Sequence, residues 1–205
     1  ETNIRGAENV CIFAEAVKCE KIIFTSSISP YGISESVRDE ASLCIPITPY
    51  GSSKLLAEEI HKRWQEKNPY RKLIVVRPGV VFGPSEFGNV SRMIKAVSKR
   101  YFVYIGNKNT VKAGIYVKEL IEAIFWINTN QQESFILANM TMQPCPSIQE
   151  YVDEICKINS LRRFIPSLPF SLVMIVLASV NFILNLMKIS HPFDPLRLHK
   201  LGRSN

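Results

Sequence analysis

Tyr50 and Lys54 are the two residues whose spacing points most directly to chemistry. Four residues apart on a helix, a phenol and an ammonium lie side by side on one face. The ammonium favours the phenolate, and a phenolate can accept a proton from a hydroxyl. The pair is therefore a candidate general acid and base. The alternative is a pair on a helix surface, because Tyr-x-x-x-Lys also occurs often by chance.

A second candidate group is Ser27, which ends the short apolar run Lys21–Ser27. A β-rich apolar run of this length indicates a buried strand. Open α/β sheets place their ligand crevice at the carboxyl ends of the strands, so the Ser27 hydroxyl would converge there with Tyr50 and Lys54. The alternative is that Ser27 caps a helix or forms a turn.

The elements that must position these residues alternate between helix and strand. Apolar spacing predicts helices over Asn3–Val17 and about Tyr50–Lys67, with buried strands at Lys21–Ser27 and Lys72–Arg77. Strands that are apolar on both faces, alternating with helices, are typical of a parallel sheet covered by helices. The sequence therefore predicts an α/β fold.

The second half of the chain is predicted to be mostly helical. Ser91–Lys99 and Val117–Ile127 have helical spacing, and Phe135–Ala138 has the composition of a short strand. Ser147 and Glu150 have the spacing of a capping box, which indicates the start of a further helix.

Three motifs, in this order and spacing, resemble those of the extended short-chain dehydrogenase/reductase superfamily. They are Phe24-Thr-Ser-Ser-Ile-Ser-Pro-Tyr-Gly32, Pro49-Tyr-Gly-Ser-Ser-Lys54 and Val76-Arg-Pro-Gly-Val-Val-Phe-Gly-Pro84. Within the superfamily, the chain is most similar to the NAD-dependent epimerase/dehydratase family that acts on nucleotide sugars. The resemblance runs from Asn3 to about Ile158 and continues more loosely beyond it.

The resemblance implies a role for each matching residue. Tyr50 would be the acid/base, Lys54 would hold the nicotinamide ribose, and Ser27 would donate to the reacting substrate oxygen. The backbone from Pro78 to Val80 would face the nicotinamide of NAD, or of NADP. Lys112 would contact the substrate diphosphate.

The resemblance also implies a division into domains. Residues 1–84 would be the C-terminal part of a Rossmann domain that binds NAD(P). Residues 85–205 would form a smaller substrate-binding region, with segments near 112–138 returning to the Rossmann domain and an apolar helix at about 168–187.

The sequence departs from the family pattern at three points. No two of its 9 glycines are two positions apart, so it has no G-x-G-x-x-G loop, and we expect the chain to be a fragment without the adenine-binding half. Val80 stands where many sugar epimerases have Asn. Lys112 stands where an Arg commonly binds the diphosphate, and a lysine offers no bidentate fork.

The implied function is an NAD-dependent epimerase or dehydratase acting on a nucleotide sugar, through transient hydride removal to a keto intermediate, in surface polysaccharide synthesis. The full-length parent would be a homodimer. One alternative is a hydroxysteroid or sterol dehydrogenase of the same superfamily. Another is a non-catalytic remnant that keeps the Tyr-Lys helix without holding cofactor.

Composition argues against several other classes of protein. The net charge of +7 over 205 residues is spread in pairs without a basic stripe, which argues against nucleic-acid binding. Five cysteines without a C-x-x-C pattern fit the reduced thiols of a cytoplasmic protein. The three histidines lie far apart and offer no zinc spacing, so no metal site is expected.

Residues 164–187 carry no charge and are long enough in principle to span a membrane. Two prolines shorten the predicted helix, and two asparagines lie four residues apart on one of its faces. We therefore favour a buried or membrane-resting helix over a span, in a cytoplasmic protein that either stays free or associates with the membrane.

Overall fold

The computed structural model of the protein describes residues 1–34, 36–161 and 164–186. These residues form two compact units. The first contains residues 1–84 and 113–145, and the second contains residues 85–112 with the described part of 146–204. Because the chain leaves the first unit and returns to it, neither unit is one continuous segment.

The described residues form helices at the predicted places. In chain order the helices are α1 (Thr2–Ala16), α2 (Pro49–Glu66), α3 (Asn89–Ser98), α4 (Val117–Asn130), α5 (Ile148–Ile158) and α6 (Phe170–Leu186). The strands are β1 (Lys21–Thr25), β2 (Lys72–Pro78), β3 (Val80–Phe82), β4 (Tyr104–Ile105), β5 (Gly114–Tyr116), β6 (Phe135–Met140) and β7 (Ser167–Leu168). The sequence predicts β1, β2 and β6 but misses the four shorter strands.

A parallel sheet in the order β1-β2-β6 forms the centre of the first unit. Val75 of the middle strand is level with Phe24 on one side and Leu137 on the other. Every residue from Leu73 to Pro78 is buried, as expected for a parallel strand covered on both faces. β3 and β5 form a separate parallel pair where the chain returns to this unit. The predicted α/β fold with a Rossmann-like parallel sheet is confirmed.

Alternate residues of β2 face opposite sides of the sheet and belong to two cores. Leu73 and Val75 pack with residues of α1 and α2, whereas Ile74 and Val76 pack with residues of α4. The sheet therefore lies between α1 and α2 on one face and α4 on the other, which is a three-layer α/β arrangement.

The second unit has its own small core between α3 and α5, where Val97, Val152 and Ile155 are buried together. The predicted capping box is present, because Ser147 accepts from the Glu150 amide while the Glu150 carboxylate accepts from the Ser147 amide. β4 and β7 pair in parallel in this unit.

Helix α6 occupies most of the predicted apolar segment and has 17 residues. Leu172, Ile175 and Val176 on it are at least half exposed. Among the described helices, none combines the length and the apolar character that crossing a membrane requires. The predicted end of this helix at Met187 lies outside the described residues.

Candidate active site

Helix α2 begins immediately before Tyr50 because Thr48 and Pro49 define its first turn. The Thr48 hydroxyl accepts a hydrogen bond from the Gly51 amide at 3.1 Å, which is a typical N-cap contact. Proline suits the first position of a helix, where its missing N–H would have no partner. Tyr50 therefore lies in the first turn, and Lys54 lies one turn further along the same face.

Lys54 connects helix α2 to the end of β1. Its Nζ donates a hydrogen bond to the Thr25 carbonyl oxygen at 2.9 Å. The same atom lies 5.0 Å from the centre of the Phe24 ring and 6.0 Å from the centre of the Tyr50 ring. Burial lowers the pKa of Lys54, and the negative charge of Glu58 opposes part of that effect. Tyr50 itself is 50% exposed, so the pair is open to a ligand.

Ser27 lies just beyond the end of β1, in a turn that contacts α2. Its Oγ donates to Ser29 Oγ at 3.1 Å and accepts from the Ser29 amide at 3.1 Å. The Ser29 carbonyl oxygen lies against Gly51, the residue after Tyr50. Both hydrogen bonds are local and stabilise the turn, while the turn itself places Ser27 next to the first turn of α2.

The segment from Pro78 to Val80 lies beside this turn. The Pro78 carbonyl oxygen accepts a hydrogen bond from the Ile28 amide at 3.1 Å. The amides of Gly79 and Val80 donate at 3.0 and 2.9 Å to carbonyl oxygens at the end of β6 and just before β5. These amides therefore hold the strands of the first unit together at the edge where Ser27 lies.

Lys112 belongs to the second unit. Its amide donates to the Pro146 carbonyl oxygen at 3.0 Å, and its own carbonyl oxygen accepts from the Tyr151 hydroxyl at 3.4 Å. The structure thus brings the other predicted site residues together within the first unit. These residues are Ser27, Tyr50, Lys54, Pro78 and Val80.

A buried polar network adjoins these residues, and the sequence patterns do not predict it. Glu58 and Arg77 form an ion pair, and Glu58 also accepts a hydrogen bond from Ser26 Oγ. The Arg77 guanidinium lies 4.7 Å from the centre of the Tyr31 ring, whose hydroxyl donates to Asn139 Oδ1 at 2.9 Å. The sequence feature that could have indicated this network is the single arginine, Arg77, in the apolar run of β2.

Residues 1–138 match the model of the NAD dependent epimerase/dehydratase family. The chain belongs to this family. The match spans β1, α2 and β2, which position Ser27, Tyr50 and Lys54, and it confirms the family that the three motifs indicate.

Two relatives show how much of a 4-epimerase the chain covers. It is 33% identical over 178 residues to an Escherichia coli O157:H7 protein named N-acetyl-alpha-D-glucosaminyl-diphospho-ditrans,octacis-undecaprenol 4-epimerase, covering 85% of this chain and 53% of that protein. It is 27% identical over 106 residues to UDP-glucose 4-epimerase 3 of Oryza sativa subsp. japonica, covering 51% of this chain and 28% of that protein. The chain therefore spans about half the length of the bacterial relative.

A solved structure supports the same fold. UDP-glucuronic acid 4-epimerase from Bacillus cereus, in complex with NAD, superposes with a TM-score of 0.72 at 22% identity. The superposition covers 82% of this chain and 56% of that one. This likeness confirms the Rossmann-like architecture of the epimerase family.

The cofactor of this family is NAD, and the residues present fit one end of it. The Lys54 ammonium and the Tyr50 phenol offer adjacent polar groups beside the carboxyl end of β1, where open α/β sheets bind dinucleotides. They suit the hydroxyls of the nicotinamide ribose. The glycine-rich loop that would hold the cofactor diphosphate does not occur in the 205-residue sequence.

Proposed function

We propose that this chain carries the catalytic groups of an NAD-dependent 4-epimerase. Its substrate is a sugar attached to a diphosphate, and its role is in surface polysaccharide synthesis. Epimerisation is favoured over dehydration because both relatives described above are named 4-epimerases. The proposal concerns the whole protein, since the chain spans about half of the bacterial relative.

The observation that carries the proposal is the contact between the end of β1 and the first turns of α2. Lys54 donates to the carbonyl oxygen of Thr25, and the Ser29 carbonyl oxygen lies against Gly51. A hydroxyl, a phenol and an ammonium therefore adjoin one edge of a parallel sheet, the edge at which such sheets bind ligands.

The proposed role of each group follows from its chemistry. NAD, when bound, supplies the hydride acceptor for a sugar carbon and then the hydride donor. The Tyr50 oxygen accepts the proton of the sugar hydroxyl and later returns it, so no net proton is consumed. Ser27 donates a hydrogen bond to the same sugar oxygen, and the positive charge of Lys54 favours the phenolate of Tyr50.

The direct test uses the protein expressed from its whole reading frame. It is incubated with NAD and, separately, UDP-N-acetylglucosamine, UDP-glucose and N-acetylglucosaminyl-diphospho-undecaprenol in detergent. We expect the C4 epimer of one of these sugars by NMR, and no epimer from the Tyr50→Phe variant. Oxidation of a sterol without any epimer would favour the sterol dehydrogenase alternative. Native mass spectrometry that finds no bound dinucleotide in an inactive protein would favour the non-catalytic remnant.

We infer that the whole protein is a homodimer, because α1 exposes large apolar side chains along one face. Val10, Phe13 and the C-cap residue Val17 are three and four positions apart, so they share a face, and they are 47%, 67% and 53% exposed. Apolar patches of this kind mark protein contacts. Light scattering of the whole protein should give twice the chain mass, and Phe13→Ser should shift it toward the monomer. A monomeric wild type at micromolar concentration would contradict this inference.

We propose that the protein is cytoplasmic and that α6 rests on the membrane surface. The five cysteines of the protein are free thiols, as expected in a reducing compartment. Helix α6 has the apolar contact surface that an interfacial helix needs, because it exposes Leu172, Ile175 and Val176. The whole protein should co-sediment with lipid vesicles, and Ile175→Ser with Val176→Ser should abolish this. Equal co-sedimentation of the variant would remove α6 from the contact.

A further inference from the structure

Glu58 and Arg77 form a bidentate ion pair inside the first unit. Arg77 Nε donates to Glu58 Oε1 at 3.0 Å, and Arg77 Nη2 donates to Oε2 at 2.5 Å. The two residues are 7% and 4% exposed. The desolvation of a buried pair offsets much of its attraction, so apolar residues of similar size often stabilise a fold equally well. Stability alone therefore does not account for these two charges.

The carboxylate of this pair also holds the end of β1. Glu58 accepts a hydrogen bond from Ser26 Oγ. Ser26 lies between Thr25, whose carbonyl oxygen accepts from Lys54, and Ser27. Glu58 itself lies one turn after Lys54 on α2. The Glu58 carboxylate thus fixes the end of β1, which lies between Ser27 and Lys54, the two residues that take part in the proposed chemistry.

The guanidinium of the pair holds the second strand end and the turn. Arg77 precedes Pro78, whose carbonyl oxygen accepts from the Ile28 amide. Its guanidinium also lies over the ring of Tyr31, at the end of the turn that begins at Ser27. The Glu58–Arg77 pair is therefore in contact with α2, the end of β1, the end of β2 and the turn between β1 and α2.

We propose that Glu58 and Arg77 are positioning residues. They fix Ser27 and Lys54 relative to each other for the proton transfer that accompanies hydride transfer to NAD. The inference rests on the proposed function. It also makes a separate claim about cofactor binding, because Lys54 would hold the nicotinamide ribose. Displacing a reacting group by about 1 Å can slow a reaction roughly 100-fold, so small shifts of the strand end are sufficient.

The test uses the whole protein and separates positioning from stability. Glu58→Leu combined with Arg77→Met replaces the ion pair with apolar side chains, and Ser26→Ala removes the link to β1 while leaving the pair intact. Glu59→Gln is the matched control, since Glu59 is the exposed neighbour of Glu58 on the same helix. Four quantities are measured for each variant: the urea midpoint of unfolding, the Kd for NAD, and the kcat and the KM for the sugar diphosphate.

We expect the double variant to unfold at a urea concentration close to that of the wild type, while kcat falls roughly tenfold to 100-fold. Its Kd for NAD should rise several-fold, and Ser26→Ala should show a smaller change in the same direction. Glu59→Gln should match the wild type. Wild-type kcat and NAD affinity in a stable double variant would overturn the inference. If the double variant fails to fold, Ser26→Ala decides, since wild-type values there overturn the inference as well.

The NAD measurement keeps the two proposals apart. If the wild type binds NAD but epimerises none of the sugars, the proposed function fails. Weaker NAD binding in the double variant would then still support the positioning role, and unchanged NAD binding would overturn it.

Discussion

The Gly51 backbone lies directly against the carbonyl oxygen of Ser29. A Cβ at position 51 would stand 2.7 Å from that oxygen and 3.2 Å from the Cβ of Pro46. The position requires glycine because of this close approach and not because of a left-handed backbone. The absence of a side chain lets the first turn of α2, which carries Tyr50, pack against the turn that carries Ser27.

Gly51→Ala should therefore destabilise the protein although alanine is the better helix former. Overpacking of this kind costs about 1–3 kcal/mol. The matched control is Gly6→Ala in α1, where an added Cβ would meet nothing within 4 Å. That change should stabilise the protein by up to about 1 kcal/mol. Urea unfolding measures both, and a Gly51→Ala variant at least as stable as the wild type would show that the two segments separate freely.

Tyr50→Phe should abolish turnover and leave the Kd for NAD nearly unchanged. Removing the phenolic oxygen removes the proposed proton acceptor, and general acid–base groups contribute about 100-fold to 10,000-fold to rate. Tyr70→Phe is the control, because Tyr70 is 80% exposed in the loop before β2. A Tyr50→Phe variant of the whole protein with undiminished kcat would exclude Tyr50 from the mechanism.

The sequence predicts the elements that are long enough to show a period. The apolar run of β2 and the helical spacing of α2 locate both elements to within a few residues, and Thr48 with Pro49 explains why α2 begins where it does. β3 and β5 have three residues each and depend on pairing with each other across more than 30 positions of the chain. No local pattern could reveal such strands.

The contacts around the site are likewise predictable where the two residues are close in sequence and not where they belong to different elements. The spacing of Tyr50 and Lys54 predicts that they share a face, because a helix fixes the geometry of residues four apart. Glu58 has the same spacing from Lys54 and looks like an ordinary surface charge. Its burial depends on Arg77, which lies in another element and reaches it only when α2 packs on the sheet. Sequence separation therefore hides the pair.

Lys54→Met should weaken NAD binding by roughly tenfold to 100-fold, because a hydrogen bond from a charged group contributes about 1.5–3 kcal/mol. The substitution also removes the hydrogen bond to the Thr25 carbonyl oxygen. Lys62→Met is the control on the same helix, since the side chain of Lys62 is 53% exposed. Calorimetry with the whole protein measures both constants. Equal NAD affinity in wild type and Lys54→Met would show that Lys54 does not hold the ribose.

The protein should lose stability in mild acid because His61 is buried, and burial disfavours its charged form in the folded state. The His61 ring stacks on Phe24 at 4.4 Å between ring centres, and Nδ1 lies 2.7 Å from the Ala57 carbonyl oxygen. Burial lowers the pKa of His61, the hydrogen bond to Ala57 opposes this, and the positive charge of Lys54 adds to it.

The sign of the effect follows from which state binds the proton. Below a pH of about 6.5 the unfolded chain protonates this histidine more readily than the folded protein does, because the pKa of His61 is lowered on folding, so protonation favours unfolding. The stabilisation is complete above that pH and is lost as the pH falls, by up to about 1.4 kcal/mol per pH unit. Urea unfolding between pH 7.5 and 5.0 should give a smaller pH dependence for His61→Phe than for the wild type, since the contributions of all other groups are common to both. Identical pH dependence in the two proteins would show that His61 takes up its proton equally well in the folded state.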